Sequence, residues 1–217
     1  MKKQVLVVGL GRFGSSLAKT LAMLGCHVMA IDSRQEHVEE LADSVTQALQ
    51  MDASDEQAFK QIGAGNFDVA VVATGSDQNA SVIVTLMCKE VGIPLVVAKA
   101  NSELHAKILY KIGADKVVFP ERDMGIRVAR TLFSQSVLDM IELTDDYSII
   151  EIRAPQTWVG KSLINLNLRA RLNLNVVALK GKDNALRIPA GTDVISEGDI
   201  VVLIGNTKSI ERVEKIE

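Results

Sequence analysis

Gly9, Gly11 and Gly14 stand in a Gly-x-Gly-x-x-Gly spacing behind the apolar run Val5-Leu6-Val7-Val8, with Arg12 and Phe13 between the last two glycines. That spacing suits the holding of a phosphate ester. The first glycine permits a tight turn. The second lets backbone N–H groups approach an anion with no Cβ in the way, and the third lets a helix pack closely on a strand. The N-terminus of that helix then offers unpaired N–H groups and the positive end of its dipole. A carboxylate belongs with this turn. His27-Val28-Met29-Ala30-Ile31-Asp32 reads as a second strand ending in an acid, about 20 residues past the turn, where it accepts hydrogen bonds from ribose hydroxyls. Ser33 and Arg34 follow at once, and a basic residue so close to the ribose edge does not exclude a phosphorylated ribose.

The elements needed to position these groups alternate through the first half. A helix is expected over residues 12–24, with Leu17, Leu21 and Leu24 on one face and Gly25 as its stop. Ser33 is the expected cap of a following helix that carries Val38 and Leu41. Residues 45–51 read as a third strand, ahead of Asp52-Ala53-Ser54, and residues 67–73 as a buried parallel strand by their continuous apolarity. Ala73-Thr74-Gly75-Ser76-Asp77 turns into a helix over 79–91. Residues 94–98 form a fifth strand ending in Lys99-Ala100-Asn101, residues 103–111 a helix and 116–119 a short strand. Repeated β–α units give a doubly wound, mostly parallel α/β sheet with helices on both faces. Ligands of such sheets bind beyond the carboxyl ends of the strands. Asp32, Asp52, Thr74, Gly75, Ser76, Lys99 and Asn101 all fall at those ends.

Composition bounds the rest. At 217 residues with 47% hydrophobic and 24% charged content, the chain has material for one large or two small cores. A formal net charge of −3 and no basic recognition helix give no push toward nucleic acid. No apolar run approaches the ~20 residues that span a bilayer, and no signal peptide is evident, so a cytoplasmic protein is expected. Cys26 and Cys88 read as packing thiols, and His27, His37 and His105 lack metal-ligand spacing. An oxidoreductase, the main alternative, needs a proton donor or base beside its cofactor. Tyr110 and Tyr147 lie outside any Tyr-x-x-x-Lys setting and His27 is at a strand start, so no catalytic constellation is expected.

After Pro120-Glu121-Arg122-Asp123-Met124-Gly125 the pattern changes. A long helix is expected to about residue 134, with a weak break at Gln135-Ser136 and a second short helix over 137–141. This apolar helix–turn–helix reads as a dimer arm or hinge. From residue 145 a small α+β module follows, with strands over 148–153, 175–180, 185–188 and 200–204, a polar turn at residues 181–184 and a terminal helix over 209–216. The expected division is therefore 1–119, 120–143 and 144–217.

This order of parts resembles the RCK (regulator of conductance of potassium) family, of the KtrA/TrkA type, over nearly the whole chain. The resemblance rests on Val-Val-Gly-Leu-Gly-Arg-Phe-Gly at 7–14, Asp32, Ala73-Thr74-Gly75, Ile112-Gly113-Ala114-Asp115 and the Pro120 to Gly125 stretch. In the second half it rests on Gly160-Lys161-Ser162-Leu163, Leu168-Arg169, Val176 to Lys180 and Glu197-Gly198-Asp199 with the apolar run behind it. A single RCK-N/RCK-C pair is closer to the KtrA/KtrC subunit than to tandem-repeat TrkA. Met51-Asp52-Ala53 departs from the Gly-Asp-Ala of many relatives.

The resemblance implies a cytosolic regulatory subunit. It implies homodimers assembled into a ring, an octamer, beneath a membrane potassium channel or transporter of the KtrB/TrkH type. ATP and ADP would bind the first domain and favour different ring shapes, and some relatives also bind NAD(H). By position, Gly9, Gly11 and Gly14 would hold phosphates, Asp32 the ribose and Arg12 a terminal phosphate. Phe13, Ser33, Arg34, Asp52, Ala53, Ala73, Thr74 and Gly75 would line the pocket, with Lys99 and Asn101 at its margin. Glu121 would help hold a cation (Mg2+, Ca2+ or Na+) at a dimer interface. In the second domain Arg169, Asn175, Ile188 and Pro189 match the region that binds cyclic di-AMP in Gram-positive relatives.

Overall fold

In a computed structural model, the described residues are 2–75, 77–133, 136–144, 146–181 and 185–213. They divide into two compact units, 1–121 and 122–217. The first contains β1 (Gln4–Val8), α1 (Arg12–Met23), β2 (His27–Asp32), α2 (Gln35–Glu39), β3 (Gln47–Gln50), α3 (Glu56–Gln61) and β4 (Val69–Val72). It continues with α4 (Gln78–Glu90), β5 (Leu95–Lys99), α5 (Glu103–Lys111) and β6 (Lys116–Val118). All six strands are parallel, in the order β3-β2-β1-β4-β5-β6. The chain order reverses between β1 and β4, and both strands feed the same edge.

Alternation along β1 explains the two layers of helices. Leu6 and Val8 join a core with Phe59 of α3, Val84 of α4 and Leu109 of α5. Val5 and Val7 join a separate one with Ala18 of α1 and Val38 of α2. Both faces are covered, which is why the strands read as continuous apolar runs. Gly25, at φ +89°, ends α1 as expected. Ser33 does not cap α2: its N-cap position is Arg34, without a capping side chain, and Asp32 Oδ1 accepts the Arg34 N–H at 2.9 Å instead.

Helix α6 (Pro120–Phe133) carries the chain from one unit to the next. None of its described residues is buried, and Leu132 and Phe133 are 81% and 90% exposed. The second unit then holds β7 (Val137–Glu142), β8 (Tyr147–Arg153), α7 (Leu163–Leu166), α8 (Leu168–Leu172), β9 (Leu174–Lys180), β10 (Leu186–Arg187), β11 (Ile200–Asn206) and α9 (Thr207–Val213). Its sheet is antiparallel, in the order β10-β9-β11-β8-β7. Trp158, Ile150, Ile152, Leu174 and Leu203 centre its core.

The second helix expected over residues 137–141 is a strand. β7 pairs with β8, and the register slips between Val137 and Asp139. One residue too many on the bulged side disturbs the two-residue alternation. Apolar residues at 137, 138, 140 and 141 then mimic a helical face. Of the other expectations, Ser76, the break at Gln135, residues 182–184 of the polar turn and the helix beyond residue 213 lie outside the described residues.

Candidate functional site

A cleft of about 500 Å³ opens at the carboxyl edge of the parallel sheet, at the β1/β4 reversal. Its wall includes Gly9, Gly11, Asp32, Ser33, Arg34, Asp52, Ala53, Ala73, Thr74, Gly75 and Lys99, all expected from the sequence. Val8, Ile31, Met51, Ser54, Asp77, Ala80 and Val84 complete it.

The three glycines of the turn answer to different constraints. Gly9 has φ +91°, and a Cβ there would come within 2.8 Å of the Thr74 nitrogen. A Cβ on Gly14 would lie 1.9 Å from the Gly9 carbonyl oxygen, so helix and strand meet only because it is absent. Gly11 has φ −66° and ψ −175°, open to any residue, and a Cβ there would meet nothing within 4 Å. Neither conformation nor packing accounts for this glycine. Its missing side chain leaves room at the lip of the cleft, beside the N-terminus of α1. That terminus has neither a capping side chain nor an acid in its first turn. By contrast α3, α4 and α5 are capped by Asp55, Asp77 and Ser102. The first-turn N–H groups of α1, with neither cap nor acid, are thus available to an anion, whereas the five-residue α2, also uncapped, carries Glu36 in its first turn.

Asp32 is 9% exposed at the end of β2. Oδ2 accepts the Leu10 N–H at 2.6 Å and faces His37 Nδ1 at 3.1 Å, while Oδ1 takes the Arg34 N–H. Burial pushes this carboxyl upward, but the Arg34 and Leu10 N–H groups and then His37 outweigh it and hold the group below the ordinary aspartate value. Asp32 is therefore an ionised acceptor tied into the glycine turn. With three of about four lone-pair sites taken, it keeps room on Oδ1 for one further donor such as a ribose hydroxyl. Asp52 Oδ1 is used within its own turn by the Ser54 hydroxyl and then the Ser54 N–H, which lower its pKa. The Thr74 hydroxyl is buried with no partner among the described residues, an acceptor and donor in the cleft wall still to be satisfied. Donors, acceptors and open space thus fit a nucleotide's phosphates and ribose.

Five expected residues sit outside the cleft wall, and one of them, Gly14, is buried beneath the turn against the Gly9 carbonyl rather than open to a phosphate. Arg12 is exposed on α1, outside the cleft wall. Phe13 is half-buried, packed against the edge of the core on the α1 side and lining a shallow groove with Leu17 and Leu21. Asn101 turns its amide into the loop after β4, donating from Nδ2 to the Gly75 carbonyl at 2.9 Å. Glu121 is engaged by the Lys99 ammonium, and that hydrogen bond first, against partial burial, lowers its pKa. A lone carboxylate held by a cation does not fit a metal ion within one chain. Among the described residues no three His, Cys, Asp or Glu side chains group as metal ligands. In the second unit Arg169 lies on α8, Asn175 at the start of β9, and Ile188 and Pro189 just beyond β10, with Ile188 87% exposed.

Sequence reasoning missed His37. Its position five residues past Asp32, in a short helix, was the only signal.

A six-stranded parallel sheet in this order, with a glycine turn at its reversal point, defines a Rossmann-like domain. Comparison with known proteins takes this further. The TrkA-N domain model matches residues 5–120 and the TrkA-C domain model residues 147–217. The Ktr system potassium uptake protein C of Bacillus subtilis is 41% identical over 215 residues, covering 99% of this chain and 97% of that protein. A solved GsuK channel superposes with TM-score 0.71 at 15% identity, covering all of this chain and 39% of that one. A structure of GsuK bound to ADP matches 60% of this chain and 33% of that one, at 28% identity and TM-score 0.52. The chain belongs to the RCK family, among the Ktr/Trk-type potassium uptake proteins. Among the described residues, no helix is long and apolar enough to cross a membrane.

Proposed function

We propose that this chain is the cytoplasmic regulatory subunit of a Ktr-type potassium uptake system, and that its cleft binds ATP and ADP. It carries no catalysis of its own. Gly11 carries the reading: a glycine that neither the fold nor the backbone needs, at the mouth of an uncapped helix, is explained by a ligand that approaches the main chain. Asp32 would take the ribose and the first turn of α1 the phosphates. Lys99, which lines the cleft, would meet phosphate charge. The ADP complex of GsuK supports the same assignment. In the cell the subunit would sit at the inner face of the membrane on a KtrB/TrkH-type partner. Two copies would join through the exposed face of α6, and dimers into an octameric ring. A nucleotide gates only if its affinity differs between two states of that ring. Arg12, exposed near the turn, would reach a neighbouring subunit's nucleotide, and only such an assembly would complete a cation site at Glu121. Arg169, Asn175, Ile188 and Pro189 would serve cyclic di-AMP.

Calorimetric titration with ATP, ADP, NADH and cyclic di-AMP tests this. ATP and ADP should bind, and Gly11→Ala should weaken both at least about tenfold, about 1.4 kcal/mol, while lowering stability by no more than the loss of an N-cap glycine, about 1 kcal/mol or less. Wild-type protein that takes neither nucleotide, or Gly11→Ala protein that binds as well as wild type, would sink the proposal. Tight NADH binding without ATP binding would point to redox sensing or an oxidoreductase instead.

A further inference from the structure

His105, on α5, has no part in the cleft wall, yet it is 1% exposed and polar. Its surroundings fix its chemical form by a short chain of logic. The Gly75 carbonyl only accepts, so Asn101 must present Nδ2 to it, at 2.9 Å. Asn101 Oδ1 is then the acceptor facing His105 Nδ1 at 3.1 Å, and it also accepts from Gln78 Nε2 at 2.8 Å. An amide oxygen cannot donate. His105 Nδ1 therefore carries the proton, and in the neutral ring Nε2 is bare. Nε2 is buried with no partner among the described residues, a cost that a purely structural packing residue of apolar type would avoid.

The other end of this chain is functional in placement. Gly75 and Thr74 line the cleft, and the Gly75 N–H folds back to the Ala73 carbonyl at 2.9 Å, so the loop leaves β4 as a tight three-residue turn. The turn is held by the Ala73 N–H on the Val8 carbonyl at 2.7 Å, by the closeness of Gly9 to Thr74, by Lys99 beside Gly75, and by the Asn101 amide on the Gly75 carbonyl, the one side-chain hydrogen bond to it among the described residues.

The geometry points to His105 as a positioning residue of the nucleotide cleft, which orients Asn101 so that its amide holds the Gly75 turn against the ligand. The inference rests on the cleft being a nucleotide site. Burial, which lowers the pKa of His105, favours the neutral ring this arrangement uses.

The test is ADP titration of the full-length wild type, His105→Leu, His105→Asn, Asn101→Ala and the His105→Leu/Asn101→Ala double variant, with thermal unfolding of each. Asparagine places an N–H near the Nδ1 position; leucine does not. His105→Leu should lose about five- to tenfold in ADP affinity, His105→Asn should recover most of it, and the double variant should lose no more than the larger single loss, because both act through one contact. Additive losses, or His105→Leu binding ADP within twofold of wild type, would overturn the role of His105 and leave the nucleotide site standing. Wild-type protein that fails to bind ADP would remove both. Should His105→Leu fail to fold, nitrogen-15 NMR of the wild type decides: an Nδ1–H tautomer supports the brace, and an Nε2–H tautomer overturns it.

Discussion

The parallel strands of the first unit are covered on both faces, whereas the antiparallel strands of the second alternate between core and surface, as in the burial of Ser148, Ile150 and Ile152 against the exposure of Tyr147 and Arg153. The first arrangement sends every strand end to one edge. Polar residues there converge without any one of them being unusual, and a cleft results. The second returns the chain at each turn, so Asn175, near the start of β9, and Ile188, just past the end of β10, both stay on open surface. A parallel sheet concentrates chemistry; an antiparallel sheet spreads it.

If that contrast is right, substitutions at the parallel sheet's edge should do most damage. Gly14→Ala drives a methyl into the Gly9 carbonyl, and should cost about 3 kcal/mol or more. Loss of the first unit's cooperative transition in urea, with the second's retained, is the expected result; a shift of both together would show that the units unfold as one.

Acidification should separate the units more mildly. The folded first unit holds His105 neutral because burial lowers its pKa. The unfolded chain binds a proton near its ordinary value of about 6.5, so unfolded protein takes up more protons and stability falls as pH drops below that value. In the second unit Asp139 is lowered, first by its hydrogen bond from Arg127. Its stabilisation is complete above the ordinary aspartate range and is lost only as pH falls through that range. Between pH 7.5 and 5.5 the first transition should therefore weaken and the second hold. Urea titrations across that interval would reveal the opposite order if the assignment is wrong.

The smallest effect belongs to the surface of the antiparallel sheet. Lys180 reaches across β11 to both oxygens of Glu151, at 2.8 and 2.7 Å, with both side chains partly exposed. Glu151→Gln should cost about 1 kcal/mol or less, measured by urea midpoint in low and high salt. A larger, salt-independent loss would mean that the pair is effectively buried.

The contrast also decides what could be read in advance. Asp32, Thr74 and Gly75 were legible because β2 and β4 announce their ends by continuous apolarity. His37 was not, because nothing along the chain shows that a five-residue helix will turn its imidazole back onto Asp32. Asn101 was legible at the right edge, but its hydrogen bond to the Gly75 carbonyl was not, since sequence gives an edge and not the direction of an amide. Gly14 belongs to the motif yet is buried against the protein's own backbone, and Phe13 lies half-buried along α1 rather than at the cleft. β7 was misread because its bulge breaks the alternation that distinguishes strand from helix.

The three glycines of the turn would also age differently. Gly9 and Gly14 are tied to the fold by their own backbone neighbours, so selection for a folded protein retains them whatever the cleft holds. Gly11 answers only to the visitor. In a lineage that stopped using nucleotides it would be the first of the three to drift, while its neighbours stayed fixed. Position 11 is in that sense a running record of whether the site is still in use.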